Sequence, residues 1–202
     1  MPYRRIAGGM PVVPDLLGRL LAGSPPGENP VTHVEALAAR PGIPVPWPDW
    51  VPPRVRTALS EIGIDAPWAH QVVAASAVHL GESVVVATGT ASGKSLCYQL
   101  PALTALAGDD RARVLYVSPT KALAGDQLRS LHALTAPFLR AATYDGDTPI
   151  EERDWVRAYA NWVLTNPDML HRSLLPGHAR WASFLRRLRL VVIDECHTYR
   201  GV

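Results

Sequence analysis

With 202 residues, 48% of them hydrophobic, the chain can bury the core of one ordinary α/β domain and carry an extension besides. A net charge of +2 gives no ground by itself for a polyanion partner. The two widely spaced cysteines, Cys97 and Cys196, speak against a disulfide framework. Arg4 and Arg5 are followed by Gly8, Gly9, Pro11 and Pro14 rather than a continuous apolar stretch, so no signal peptide, membrane span or membrane partner is expected. The cytoplasm is the expected location.

Residues 1–52 read as an N-terminal extension and linker. Two short helices are expected, over "PDLLGRLLAG" and over "THVEALAAR", the second opened by Thr32 with Glu35 as a capping box. Six of the nineteen prolines then fall in "PGIPVPWPDWVPP" (41–53). That density forbids helix and predicts an extended linker whose Trp47 and Trp50 pack onto the following domain.

From residue 53 to 202 the pattern alternates between strand and helix. "PRVRTALSEIG" places proline at the first helical position and Gly63 just past the end. A second helix is expected from about Trp68 to Gly81. Apolar, β-branched runs predict strands at 83–87 ("SVVVA"), 113–118 ("RVLYVS"), 161–165 ("NWVLT") and 188–194 ("LRLVVID"), with a further one within 139–146. Runs apolar on both faces point to a buried parallel sheet. "TPIE" (148–151) predicts a capped helix start. The expected class is α/β, an open, mostly parallel sheet with helices on both faces.

The polar clusters "TGTASGKS", "PTKALAGDQ", "TNPDML" and "DECH" each follow a predicted strand, and the carboxyl edge of such a sheet is where ligands bind. "TGTASGKS" (88–95) has the form of a phosphate cradle: a small-residue loop, then Lys94 and Ser95 opening a helix whose N–H groups face the anion. It departs from G-x-x-x-x-G-K-[ST] at Thr88, and Ala91 takes a slot often filled by Gly. Such a loop alone is also compatible with an ordinary strand–helix turn. Asp194 and Glu195 supply its complement, one carboxylate for Mg²⁺ and one for the attacking water. Thr120 and Asn166 sit where helix caps belong. Arg186, Arg187 and Arg189 read as a solvated face. The seven histidines show no zinc spacing, so Mg²⁺ with nucleotide is the only metal expected.

In their order these motifs resemble the first RecA-like lobe of superfamily 2 DEAD/DEAH-box helicases, a P-loop NTPase fold. "DECH" is a variant of the DExH box. "GIDAPWAHQ" (63–71) is similar to the Q motif G-F-x-x-P-x-x-x-Q, "TASGKS" to motif I, "PTKALAGDQ" to motif Ia and "TNPDML" to motif Ib. "TGTASGKSLCYQLP", "TYDGDTP" and "DECHTYRGV" resemble more narrowly the branch of fungal RecQ-like helicases and bacterial mitomycin repair factor A proteins.

The resemblance implies an ATP-dependent helicase, moving on nucleic acid, DNA before RNA, in a repair setting. It implies that Gln71 reads adenine and that Thr88, Gly89, Thr90, Ala91, Ser92 and Gly93 form the phosphate loop. Lys94 would hold the outer phosphates, Ser95 and Asp194 the Mg²⁺, and Glu195 the water. His197 would link nucleotide state to the strand or to a second lobe. Thr120, Lys121, Arg129, Thr165 and Asn166 would contact the nucleic-acid backbone.

No motif III, second lobe or arginine finger follows in these 202 residues, so the chain reads as cut after motif II. The expectation is an isolated fragment that binds ATP·Mg²⁺ weakly, hydrolyses it barely and does not unwind DNA. The alternative is a nucleotide- or DNA-binding module without motor function.

Overall fold

The computed structural model describes residues 42–89 and 92–199, with single positions 18, 22, 32 and 33 before them. The helices expected over 14–23 and 32–40 lie outside the described residues, those single positions apart. A compact unit begins at Gly42 and runs to the end of the chain.

Its center is a four-stranded sheet of β1 (Arg113–Val117), β2 (Ala141–Thr143), β3 (Trp162–Thr165) and β4 (Leu188–Ile193), in spatial order β2-β3-β1-β4. Every pairing is parallel, Val114 lying opposite Trp162 and Tyr116 opposite both Leu164 and Val192. β1 and β3 are buried along their whole length because their side chains alternate into two cores. Val114, Tyr116, Trp162 and Leu164 enter one. Leu115, Val117 and Val163 enter the other.

Helices cover both faces. On the first lie α1 (Pro53–Glu61), α2 (Ala69–His79), α3 (Ser95–Gly108) and α4 (Lys121–His132), through residues such as Leu59, Ala75, Leu100, Leu103 and Leu131. On the second, Val156 of α5 (Ile150–Tyr159) joins Leu174, Trp181 and Phe184 from the segment between β3 and β4. That segment contains a short turn of helix at Pro167–Met169 that widens into a π-helical turn over Leu170–Leu174.

The element starts follow from local chemistry. Pro53 stands in the first turn of α1, and Gly63 takes φ +86° just beyond its end. Thr120 caps α4 by accepting from the Leu123 N–H at 3.2 Å, and Asn166 accepts from Met169 N–H at 2.9 Å. Residues 42–52 run along the start of α2, with Val45 N–H donating to Pro67 O and Ala69 N–H to Ile43 O. Trp47 donates to Asp65 O, and Trp50 stacks on His79 at 4.3 Å. Both tryptophans pack against the first core.

Three expectations are corrected. Residues 83–87 form no strand: among the described residues nothing pairs with them, and Val84 and Val85 are exposed, Val85 by 87%. An apolar β-branched run becomes a buried strand only where a neighbor meets its backbone and layers cover its faces. β4 is likewise not buried on both faces. It is an edge strand, with Val192 inside while Val191 and Ile193 are 46% and 56% exposed. The α5 start also differs. Thr148 spends its hydroxyl on the preceding loop, accepting from Asp145 N–H at 2.9 Å, and Pro149 precedes the helix without a side-chain cap.

Candidate functional site

Because all four strands run the same way, the residues that follow them emerge at one edge of the sheet. Ser118–Thr120 follow β1, Tyr144–Asp147 follow β2, Thr165–Asn166 close β3, and Asp194–Glu195 follow β4.

The loop before α3 is held from outside. Gln71, 5% exposed, accepts from Trp68 N–H through Oε1 at 2.7 Å and donates from Nε2 to Gly93 O at 2.9 Å. His70 Nε2 lies 3.1 Å from Ser92 O. Gly93 is required twice over: its φ is +70°, and a Cβ would come within 2.5 Å of Gln71 Nε2. Thr88 Oγ1 and Ser92 Oγ share a hydrogen bond at 2.7 Å, and Lys94 Nζ donates to Thr88 O at 3.0 Å. The side chains on either side of the loop thus close on each other. Thr90 and Ala91 lie outside the described residues.

The acid pair is equally constrained. Asp194 continues the ladder, its N–H donating to Val117 O at 2.9 Å. Its Oδ1 accepts from Glu195 N–H at 3.0 Å and its Oδ2 from Tyr116 Oη at 2.5 Å. Glu195 adopts φ 48°, ψ 41°, the left-handed region, and is the one non-glycine residue with a positive φ among the described residues. Its carbonyl accepts from Thr198 Oγ1, and its Oε2 lies 3.4 Å from His197 Nδ1. Tyr199 Oη returns to Val117 O at 3.2 Å.

Tyr98 of α3 stands between the two halves. Burial pushes its phenol up to about 12, a Ser95 hydroxyl draws it down, and the Asp194 charge raises it again. Its Oη donates to Gln127 of α4 at 2.8 Å, and its ring lies 5.7 Å from that of Tyr116. Burial, with the Asp194 charge second, likewise pushes the Tyr199 phenol up to about 12.

The residues expected to face nucleic acid divide into two kinds. Thr120, Lys121 and Arg129 are exposed and Asn166 half-buried on the α4 and β3 side of the edge. Lys121 Nζ is bonded to Asp147 at 2.6 Å, and Arg129 is paired with Asp126. Thr165 differs: it is 1% exposed and donates to Tyr144 O at 2.7 Å, so its side chain is spent inside the protein. Arg186, Arg187 and Arg189 are exposed, as a solvated face requires.

Sequence reasoning missed Tyr116, Tyr98, His70 and Asp147. A signal was present for the tyrosines, since a phenol in a buried run needs a partner for its hydroxyl. Asp147 had none, because its contact with Lys121 joins residues 26 positions apart.

Residues 68–202 match the DEAD/DEAH box helicase family. The chain belongs to that family. It is 44% identical over 179 residues to the uncharacterized ATP-dependent helicase YprA of Bacillus subtilis, covering 87% of this chain and 24% of that protein. Identity to the ATP-dependent helicase HRQ1 of Saccharomyces cerevisiae is 48% over 140 residues, 67% of this chain and 13% of its length. The solved structure of the DUF1998 helicase MrfA bound to DNA and AMPPNP aligns at a TM-score of 0.79 and 42% identity, over 93% of this chain and 26% of that one. The yeast DEAD-box splicing factor Prp28, 16% identical with a TM-score of 0.58, shares the RecA-like fold. The chain spans about a quarter or less of the first two relatives and of MrfA. Family membership bears out the DEAD/DEAH-box resemblance and the expected fold, and the similarity to MrfA bears out the resemblance to the mitomycin repair factor A branch. Among the described residues, no helix is long and apolar enough to cross a membrane.

Proposed function

We propose that this chain is the ATP-binding lobe of a cytoplasmic, ATP-dependent DNA helicase or translocase. The observation that carries the reading is that Tyr98, in the first turn of the phosphate-loop helix, packs its ring 5.7 Å from that of Tyr116, whose hydroxyl bonds Asp194 of the acid pair. The helix start at Ser95 and the acid turn at Asp194, 99 positions apart in sequence, serve one ligand there.

Each side chain has a role its position permits. Lys94 leaves Thr88 O for the outer phosphates. Gln71 has one N–H and one lone pair left after holding Gly93 and Trp68, so adenine recognition and loop position are joined in one amide. Thr88, Gly89, Ser92 and Gly93, with Thr90 and Ala91, surround the phosphates. Glu195 orients the attacking water, and His197 beside it transmits the state of the site.

The donors fit Mg²⁺ only in company with a nucleotide. Ser95 and Asp194 offer a hydroxyl and one carboxylate, and among the described residues no group of three His, Cys, Asp or Glu could cage an ion alone. Mg²⁺ characteristically takes one or two carboxylates and completes its shell with phosphate and water. Bound there, it supplies neutralization of phosphate charge.

DNA is the preferred partner because two solved structures of MrfA that align with this chain are bound to DNA. Thr120, Lys121, Arg129 and Asn166 are the contacts to its backbone, a mode that suits movement along any sequence. A second RecA-like lobe is needed to close on ATP. An arginine supplied to the γ-phosphate is worth about 10³–10⁵ in rate, which leaves this lobe alone nearly inactive.

The test compares ATP turnover of this chain and of a full-length, two-lobed protein carrying it, with single-stranded DNA and RNA at one stated salt concentration. Turnover of the two-lobed protein should be stimulated by DNA and abolished by Lys94→Ala. Robust DNA-stimulated turnover by this chain alone would overturn the need for a second lobe.

A further inference from the structure

We infer that Tyr116 is a positioning residue for the metal-facing carboxylate, its phenol holding Asp194 in the orientation that receives Mg²⁺ with nucleotide. This rests on the reading of Asp194 given above. Tyr116 is the penultimate residue of β1, opposite Val192, with no solvent exposure. Its neighbors in the first core are apolar, and a phenylalanine would fill the same space. A buried hydroxyl without a partner costs free energy, and this one has its partner at the ligand edge, Asp194 Oδ2, 2.5 Å away.

The second oxygen is fixed as well, by Glu195 N–H at 3.0 Å. With both oxygens held, the carboxylate plane cannot turn, and its remaining lone pairs point in fixed directions. A tyrosine phenol keeps its proton at physiological pH, so Tyr116 is the donor and the Asp194 carboxylate the acceptor in this bond. Tyr98 packs against Tyr116 and is itself tethered to Gln127, which gives the phenol little room to leave. Partners that orient a metal ligand in this way commonly change metal affinity by about 10–100-fold when removed.

The experiment titrates a fluorescent ADP into the 202-residue chain, in EDTA and in Mg²⁺, for wild type, Tyr116→Phe, Asp194→Asn and the double variant. The expected result is a loss of roughly 10-fold or more in the gain that Mg²⁺ gives Tyr116→Phe, with metal-free affinity unchanged. In the Asp194→Asn background, Tyr116→Phe should have no further effect. An equal loss with and without metal, or no loss, would overturn the proposal. A second measurement deletes nothing: meta-fluorotyrosine at position 116 should show a fluorine resonance that moves when Mg²⁺ is added to the ADP-bound chain. A resonance indifferent to Mg²⁺ would also overturn it. If ADP binding by wild type is insensitive to Lys94→Ala, the ATP-site reading itself fails, and the Tyr116 assignment falls with it. Lys94-dependent binding with an inert Tyr116 sinks the assignment alone.

Discussion

Glu195 sits in a backbone conformation that L side chains avoid, at a cost of about 1–2 kcal/mol. The strain sets the direction of the acid pair, since the chain must turn sharply after β4 to aim consecutive carboxylates. Glycine would adopt the turn freely, at an entropic loss of roughly 0.5–1 kcal/mol in the folded state. Glu195→Gly is therefore expected to keep or slightly raise stability in urea unfolding while abolishing ATP turnover in the two-lobed protein. Glu195→Val should lose about 2 kcal/mol in the same unfolding experiment, because a β-branched side chain tolerates this region least. The cysteines separate by the same local reasoning. Cys97 is buried, and burial pushes its thiol up, whereas Cys196 is exposed beside the acid pair. Brief iodoacetamide treatment of the folded chain near pH 8 should label Cys196 and spare Cys97, as read by peptide mass spectrometry.

At the level of elements, α4 begins with a cation already engaged. The Asp147 hydrogen bond holds the Lys121 ammonium above its ordinary value, and both side chains are exposed. A strand phosphate arriving at Lys121 must compete with that carboxylate. Lys121→Ala should weaken single-stranded DNA binding about equally for every sequence and lower the salt slope by about 0.7. Asp147→Asn should act in the opposite sense and strengthen binding at low salt, both measured by fluorescence anisotropy. What was legible in the sequence follows the same division between local and distant. The caps at Thr120 and Asn166, the α1 start at Pro53 and the acid turn after "LVVI" all depend on neighbors within four residues. The ties from Gln71 to Gly93, Tyr116 to Asp194 and Lys121 to Asp147 span 22, 78 and 26 positions. No spacing rule announces them, so the motifs marked where the site lies and not how its atoms are held.

For the whole molecule, the informative misreading is 83–87. Its composition fits a buried strand, but burial depends on what lies alongside, and among the described residues no strand pairs with it. The same holds for β4, whose outer edge lacks a partner strand among the described residues while Val191 and Ile193 face outward. The sheet is thus well specified on the side of β1 and β3, where two cores meet, and open on the other. This has a practical outcome in the test tube. An open edge with β-branched residues is a ready template for another copy, so losses on concentration and storage should begin there and not in the nucleotide loop. Val191→Lys together with Ile193→Lys should raise the concentration at which light scattering first appears, with the melting temperature little changed. Any preparation used to weigh ATP binding by this lobe would then be best made with that border charged.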